Sequence, residues 1–138
     1  MLVRELITVQ NYSKQREALL NEIRSRNDHP TAEEIYKSLR VKMPRYSLGT
    51  VYRNLSELSS NGYILKIPSA SGPERYDGCI KPHVHFSCRK CGKVYDMHGI
   101  YEKYIDSTAI VNEIISGASA EEIQVTVCGI CAECKDGM

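Results

Sequence analysis

The chain has 138 residues, 42% of them hydrophobic and 25% charged, with a net charge of +1. This is the balance of a soluble protein made of one compact domain or two small ones. No run reaches the roughly 18 apolar residues of a membrane span and no basic-then-apolar leader opens the chain, so neither a membrane protein nor a conventionally secreted one is expected. The small net charge hides an asymmetry: residues 1–66 hold 11 Lys/Arg against 7 Asp/Glu, giving +4, and residues 67–138 hold 7 against 10, giving −3.

Three helical patterns fit the first 61 residues. The first opens near Ser13, a good N-cap, and carries an apolar stripe of Ala18, Leu19, Leu20 and Ile23. The second starts at Thr31-Ala-Glu-Glu34, a capping box directly after Pro30, and buries Ile35, Tyr36 and Leu39 before Pro44 breaks it. Ser47 caps the third, in which Leu48, Val51, Tyr52, Leu55 and Leu58 recur every three or four residues until Asn61-Gly62 stops it. Two short β-type runs, Tyr63–Ile67 and Glu74–Asp77, flank a Pro/Ser/Gly loop and read as a hairpin.

Three helices followed by a hairpin is the order of a winged helix-turn-helix, whose last helix enters the major groove. Thr50, Arg53 and Asn54 are expected to point away from the apolar stripe of that helix, with Tyr52 at its border. Hydrogen-bonding side chains at a helix N-terminus suit phosphate and base contact. Lys14, Arg16, Lys42 and Arg45 are expected to add backbone contacts, making binding weaken with salt. The competing reading is an ordinary three-helix bundle with a solvated basic face, and periodicity with a mild charge excess does not separate the two.

The second half reads as a metal protein. All six cysteines lie from Cys79 onward, and in a chain without a leader they point to metal or redox chemistry in a reducing compartment, the cytoplasm. Cys88-Arg-Lys-Cys91-Gly-Lys has the form of a zinc knuckle, and Cys128-Gly-Ile-Cys131-Ala-Glu-Cys134 contains two overlapping C-x-x-C pairs. Two pairs supply the four sulfurs of a closed tetrahedral zinc site. The 39 residues between Cys91 and Cys131 exceed the spacing of a compact zinc ribbon. An intervening fold must therefore join the pairs, and the metal would clamp the C-terminus. Cys131 with Cys134 is the preferred second pair, leaving Cys128 on the preceding strand. Free buried thiols or an adventitious disulfide are the bland alternative.

A second cluster uses nitrogen and oxygen. His83 and His85 share one face of a β-type run, Asp77 ends the hairpin, and Asp96 follows the knuckle. His29, before Pro30, adds a third imidazole. Such a site suits divalent iron or manganese better than thiolates do. Taken singly, Asp77 is a common turn residue, His29 a possible helix cap and His98 a solvated neighbour.

With these segments in view, the chain resembles the ferric uptake regulator family of metal-dependent repressors. The matching residues are Lys14-Gln-Arg16, His29 to Tyr36, Ser47-Leu-Gly-Thr-Val-Tyr-Arg-Asn-Leu55, Arg75-Tyr-Asp77, His83-x-His85-x-x-Cys88-x-x-Cys91-Gly-Lys93, Asp96 and Cys131-x-x-Cys134. The resemblance implies an α+β fold, with an N-terminal winged helix-turn-helix over residues 1–78, ending in a hinge, and a small α/β metal-binding dimerisation domain over 79–138. It implies a cytoplasmic homodimer on double-stranded palindromic operator DNA. It also implies structural Zn2+ at Cys88, Cys91, Cys131 and Cys134, and regulatory Fe2+ or Mn2+ at His29, Asp77, His83, His85 and Asp96. Arg16, Arg45, Ser47, Thr50, Tyr52 and Arg53 are the expected DNA-binding set, with Tyr52 and Arg53 matching the family's DNA contacts.

The Asp77 and Asp96 pair resembles the peroxide-responsive branch, in which a liganding histidine is oxidised; His29 and His83 are the candidates here. The iron-uptake branch tends to carry glutamate at the Asp77 position and a longer histidine run. Three departures bear on this. Ile123 stands where many members have a histidine of a further metal site, so that site is not expected. Asn11 stands where a basic minor-groove residue is often found. Cys79 beside Asp77 keeps a zinc sensor as the alternative, alongside an iron-uptake regulator. Two histidines and a carboxylate around iron also describe non-haem oxygenases, but 138 residues leave no room for a separate substrate domain, so no enzyme is expected.

Overall fold

A computed structural model describes residues 14–105, 109, 117–119 and 122–137. Ser13 and Asn11 lie outside the described residues. Contacts divide the chain into two units, Met1–Ile80 and Lys81–Met138.

In the first unit, α1 (Lys14–Arg24), α2 (Ala32–Lys42) and α3 (Leu48–Ser60) are followed by strands β1 (Leu65–Ile67) and β2 (Arg75–Asp77). The helix boundaries come from local chemistry. Thr31 caps α2 by accepting from the Glu34 backbone N–H at 3.2 Å, and Ser47 caps α3 by accepting from Thr50 N–H at 3.1 Å. At the far end of α3, Gly62 takes a φ of +79°. Its N–H reaches Ser59 O while Tyr63 N–H reaches Leu58 O, closing the helix in the paired pattern that a left-handed residue permits. The expected capping box is half made: the Glu34 carboxylate lies 3.8 Å from both Arg26 and Arg75.

Leu19, Ile23, Ile35, Leu39, Val51, Leu55 and Leu58 form the core of the unit, joined by Ile64 and Tyr76 from the hairpin. Burying each such side chain contributes about 1.5–3 kcal/mol, which is what fixes the helices against one another. The hairpin is antiparallel, with Leu65 opposite Asp77 and Ile67 opposite Arg75. Three helices with a two-stranded wing make this unit a winged helix-turn-helix.

In the second unit, β3 (Val84–Cys88) is the middle strand of a three-stranded sheet in the order β4-β3-β5. It pairs antiparallel with β4 (Val94–Met97) and parallel with β5 (Val125–Gly129). Short helices α4 (Ile100–Tyr104) and α5 (Ala132–Asp136) complete the described elements. No helix among the described residues is long and apolar enough to cross a membrane.

Candidate metal centres and nucleic-acid face

The sheet register builds the cysteine site. The antiparallel turn from β3 to β4 is the knuckle itself. Gly92, at a φ of +76°, donates to Cys88 O at 2.9 Å, and Cys88 N–H returns to Lys93 O at 3.0 Å. The parallel pairing sets Cys88 opposite Gly129, which delivers Cys131, two residues on, to the same sheet end. A Cβ on Gly129 would lie 3.2 Å from the Phe86 ring, so the small residue lets β5 pack closely there. Cys134 follows within α5.

Sγ atoms of Cys88, Cys91, Cys131 and Cys134 all lie within 4.8 Å of one another. Cys91 and Cys131 are 3.8 Å apart, the edge of about 3.8 Å expected for a tetrahedron with bonds of about 2.3 Å. Backbone N–H groups of Cys91 and Cys131 point at Cys88 Sγ, at 3.5 and 3.4 Å, and hold its thiol down to about 6. Burial and the neighbouring Cys131 push Cys134 up to about 12. A hydrogen bond with Cys131 raises the Tyr95 hydroxyl to about 12. Four sulfurs this crowded cannot all be thiolates without a cation, so the donor set fits structural zinc. Cys128, on β5, is exposed and outside the cluster. Lys93 and Glu133, 3.3 Å apart, link the two knuckles at the surface.

Nitrogen and oxygen donors gather in each unit. In the second, the β3–β4 register places His85 directly opposite Asp96, with Nε2 3.3 Å from Oδ1. His83 Nε2 lies 2.9 Å from the same oxygen, and its Nδ1 lies 2.6 Å from Lys81 O. A carbonyl can only accept, so Nδ1 carries a proton, and a neutral ring then turns a lone pair from Nε2 toward the carboxylate. Two acceptors at that distance require a proton between them, on the ring or on the carboxyl, or a shared cation. The fixed tautomer is also what a metal-ligating histidine uses.

Sequence context leaves His98 open between a ligand and a solvated neighbour, and its side chain is 68% exposed. It nevertheless reaches Asp96 Oδ2 at 3.6 Å and stacks on His83 with centroids 5.2 Å apart. Its position two residues after Asp96 is the signal that could have drawn attention to it.

In the first unit, His29 Nε2 lies 3.4 Å from Asp77 Oδ2, and both residues are buried. Asp77 Oδ1 also accepts from Cys79 N–H at 2.9 Å. Arg26 grips Asp28 through two bonds of 2.9 and 2.7 Å, steadying the loop ahead of His29, and this partner depresses the Asp28 carboxyl.

The residues expected on DNA divide. Arg45 and Arg53 are exposed, and Tyr52 is 47% exposed. Thr50 is half-buried, at the first turn of α3. The Ser47 hydroxyl is the cap of α3 and also bonds the Thr50 hydroxyl at 2.7 Å. One expectation is corrected. Asn54 is buried, donating to the Tyr46 hydroxyl at 3.0 Å. Arg16 is buried too, bonded to Asn54 at 3.3 Å and ion-paired with Glu57. Arg16 therefore links α1 to α3 from inside the unit. Tyr46, which sequence periodicity did not single out, completes the group by donating to Gln15 O at 2.8 Å.

Comparison with known proteins agrees with these features. The ferric uptake regulator family model matches residues 9–128. The chain is 31% identical over 122 residues to the peroxide-responsive repressor PerR of Staphylococcus epidermidis, covering 88% of this chain and 79% of that one. It is 31% identical over 121 residues to the peroxide operon regulator of Bacillus subtilis, covering 88% and 81%. Among solved structures, the Campylobacter jejuni peroxide stress regulator aligns with a TM-score of 0.73 and 27% identity, over 97% of this chain and 96% of that one. The Helicobacter pylori ferric uptake regulator, described as having three functional metal-binding sites, aligns with a TM-score of 0.73 and 26% identity, over 97% and 91%.

Proposed function

Because the chain belongs to the ferric uptake regulator family, we propose that it is a metal-dependent repressor that senses peroxide. It acts as a cytoplasmic homodimer on a palindromic operator. The observation that carries this reading is the presence, apart from the cysteine cluster, of imidazole–carboxylate contacts in each unit: His29 with Asp77, and His83 and His85 with Asp96. Nitrogen and oxygen donors of this kind suit ferrous or manganous ions better than thiolates do, while the four-cysteine cluster suits zinc.

In this reading the five residues serve one regulatory ion. Ligands drawn from both units restrict the angle between each DNA-reading unit and the pairing unit. That restriction lets both copies of α3 meet successive major grooves. Tyr52 and Arg53 read base edges, while Arg45 and the α3 N-terminus, with Ser47 and Thr50, hold phosphate. A preference of about 1–3 kcal/mol for the competent arrangement changes affinity roughly 5- to 150-fold.

Bound ferrous iron supplies the redox chemistry for peroxide. Net, one peroxide oxygen is added to an imidazole and the other leaves as water. His29 and His83 are the imidazoles proposed to take it, and losing one weakens the ligand set and releases DNA. The protein is consumed by the event, so this is sensing and not turnover.

The test is mass spectrometry of protein loaded with ferrous iron without oxygen, before and after peroxide, with operator binding measured on the same samples. A gain of one oxygen on His29 or His83, together with loss of binding, is expected. Oxidation confined to Cys79 or Cys128 contradicts the reading. If zinc at the second site restores operator binding at free concentrations where ferrous and manganous ions do not, the protein is a zinc sensor instead.

A further inference from the structure

His29 is the one non-glycine residue with positive φ among those described, at +51°. A side-chain-bearing residue meets its own carbonyl in that conformation. His29 also precedes Pro30, and a proline ring drives the residue before it toward extended backbone. Local sequence therefore works against the geometry that holds the imidazole beside Asp77.

What opposes it comes from β2. Arg75 Nη1 donates to His29 O at 3.0 Å. Tyr76 N–H donates to Pro30 O at 3.0 Å, and Thr31 forms an isolated antiparallel bridge with Arg75. The Arg75 guanidinium is itself steadied by the Glu34 carboxylate 3.8 Å away. β2 ends in Asp77, whose carboxylate lies 3.4 Å from His29 Nε2. One three-residue strand thus supplies the carboxylate and also ties down the backbone that presents the imidazole.

We infer that Arg75 is a positioning residue for the His29–Asp77 pair, its guanidinium holding His29 in the left-handed backbone that keeps Nε2 at the carboxylate. The inference rests on the reading of His29 and Asp77 as regulatory ligands for its consequence, though not for its geometry. Arg75 is not among the proposed ligands. It acts on the His29 carbonyl, and the backbone bonds from Tyr76 and Thr31 survive its replacement, so the unit keeps its fold while His29 becomes free to relax to negative φ.

The experiment compares the full-length zinc-containing protein with Arg75→Met, Arg75→Lys and His29→Asn variants. Asparagine tolerates the left-handed backbone but removes the imidazole. Two readouts are taken: manganous-ion affinity, and labelling of each histidine by diethyl pyrocarbonate in protein without added manganese. Arg75→Met is expected to lower manganese affinity about tenfold, the lower end for loss of an outer-shell partner. It should raise labelling of His29 while leaving His83 and His85 unchanged. Lysine, which restores one donor, should recover most of both. The inference is overturned if Arg75→Met leaves His29 labelling at the parental level, or raises labelling at all histidines together as general loosening would. If His29→Asn binds manganese as the parent does, the assignment of His29 as a ligand fails. The labelling result still decides whether Arg75 holds His29.

Discussion

Arg16 donates from Nη2 to Oδ1 of Asn54 at 3.3 Å, joining α1 to α3 across 38 residues of chain. Asn54 passes the connection to Tyr46, and Arg16 also meets Glu57. A buried polar group of this kind is worth little when satisfied and costly when broken.

Replacing Arg16 by Met is therefore expected to destabilise the protein by about 1–3 kcal/mol, since Asn54 and Glu57 each lose a partner. Operator affinity should fall with little change in its salt dependence. A phosphate contact would instead reduce the slope of log K against log salt by about one. Denaturant unfolding and a salt series of binding curves separate the two roles.

Arg53→Ala acts from the solvent side of the same helix. Loss of a base-edge contact should cost about 1–3 kcal/mol of operator affinity and relax preference at one base position, with stability unchanged. Arg45→Ala should weaken binding to all sequences alike and reduce the salt slope. Competition assays with mutated half-sites distinguish these outcomes.

Among the cysteines, Cys91→Ser should lose zinc and much of the structure of the second unit, because structural zinc contributes on the order of 10–16 kcal/mol to folding in small metal domains. Cys134→Ser should do the same. Cys128→Ser, exposed on β5 and outside the sulfur cluster, should keep one zinc per chain. Metal analysis with limited proteolysis reads all three, and zinc loss from Cys128→Ser would reassign the fourth ligand.

His85→Ala removes an imidazole from the nitrogen–oxygen set and leaves the cysteine cluster untouched. Zinc content and thermal stability should hold, and the increase in operator affinity on adding manganese should vanish. An undiminished manganese response in this variant would count against His85 as a ligand.

Much of this protein can be read from spacing alone. The helices of the first unit and their Thr31 and Ser47 caps follow from residues three or four apart, while the Asn61-Gly62 stop and the wing strands follow from turn residues beside short β-type runs. The C-x-x-C pairs and His83-x-His85 are equally local, since a turn or one strand face brings such residues together. Long-range partners were decided by packing. The parallel register of β3 with β5 places Cys131 beside Cys88, and the antiparallel register with β4 sets Asp96 against His85. No local pattern announces that Arg16 and Asn54 turn inward, because both are hydrogen-bonding residues at home in water. They are buried because Tyr46, Glu57 and each other satisfy them there. The backbone of His29 is the clearest case: its own sequence, a Cβ before a proline, disfavours left-handed geometry, and only contacts from β2, nearly fifty residues away, make it the stable one.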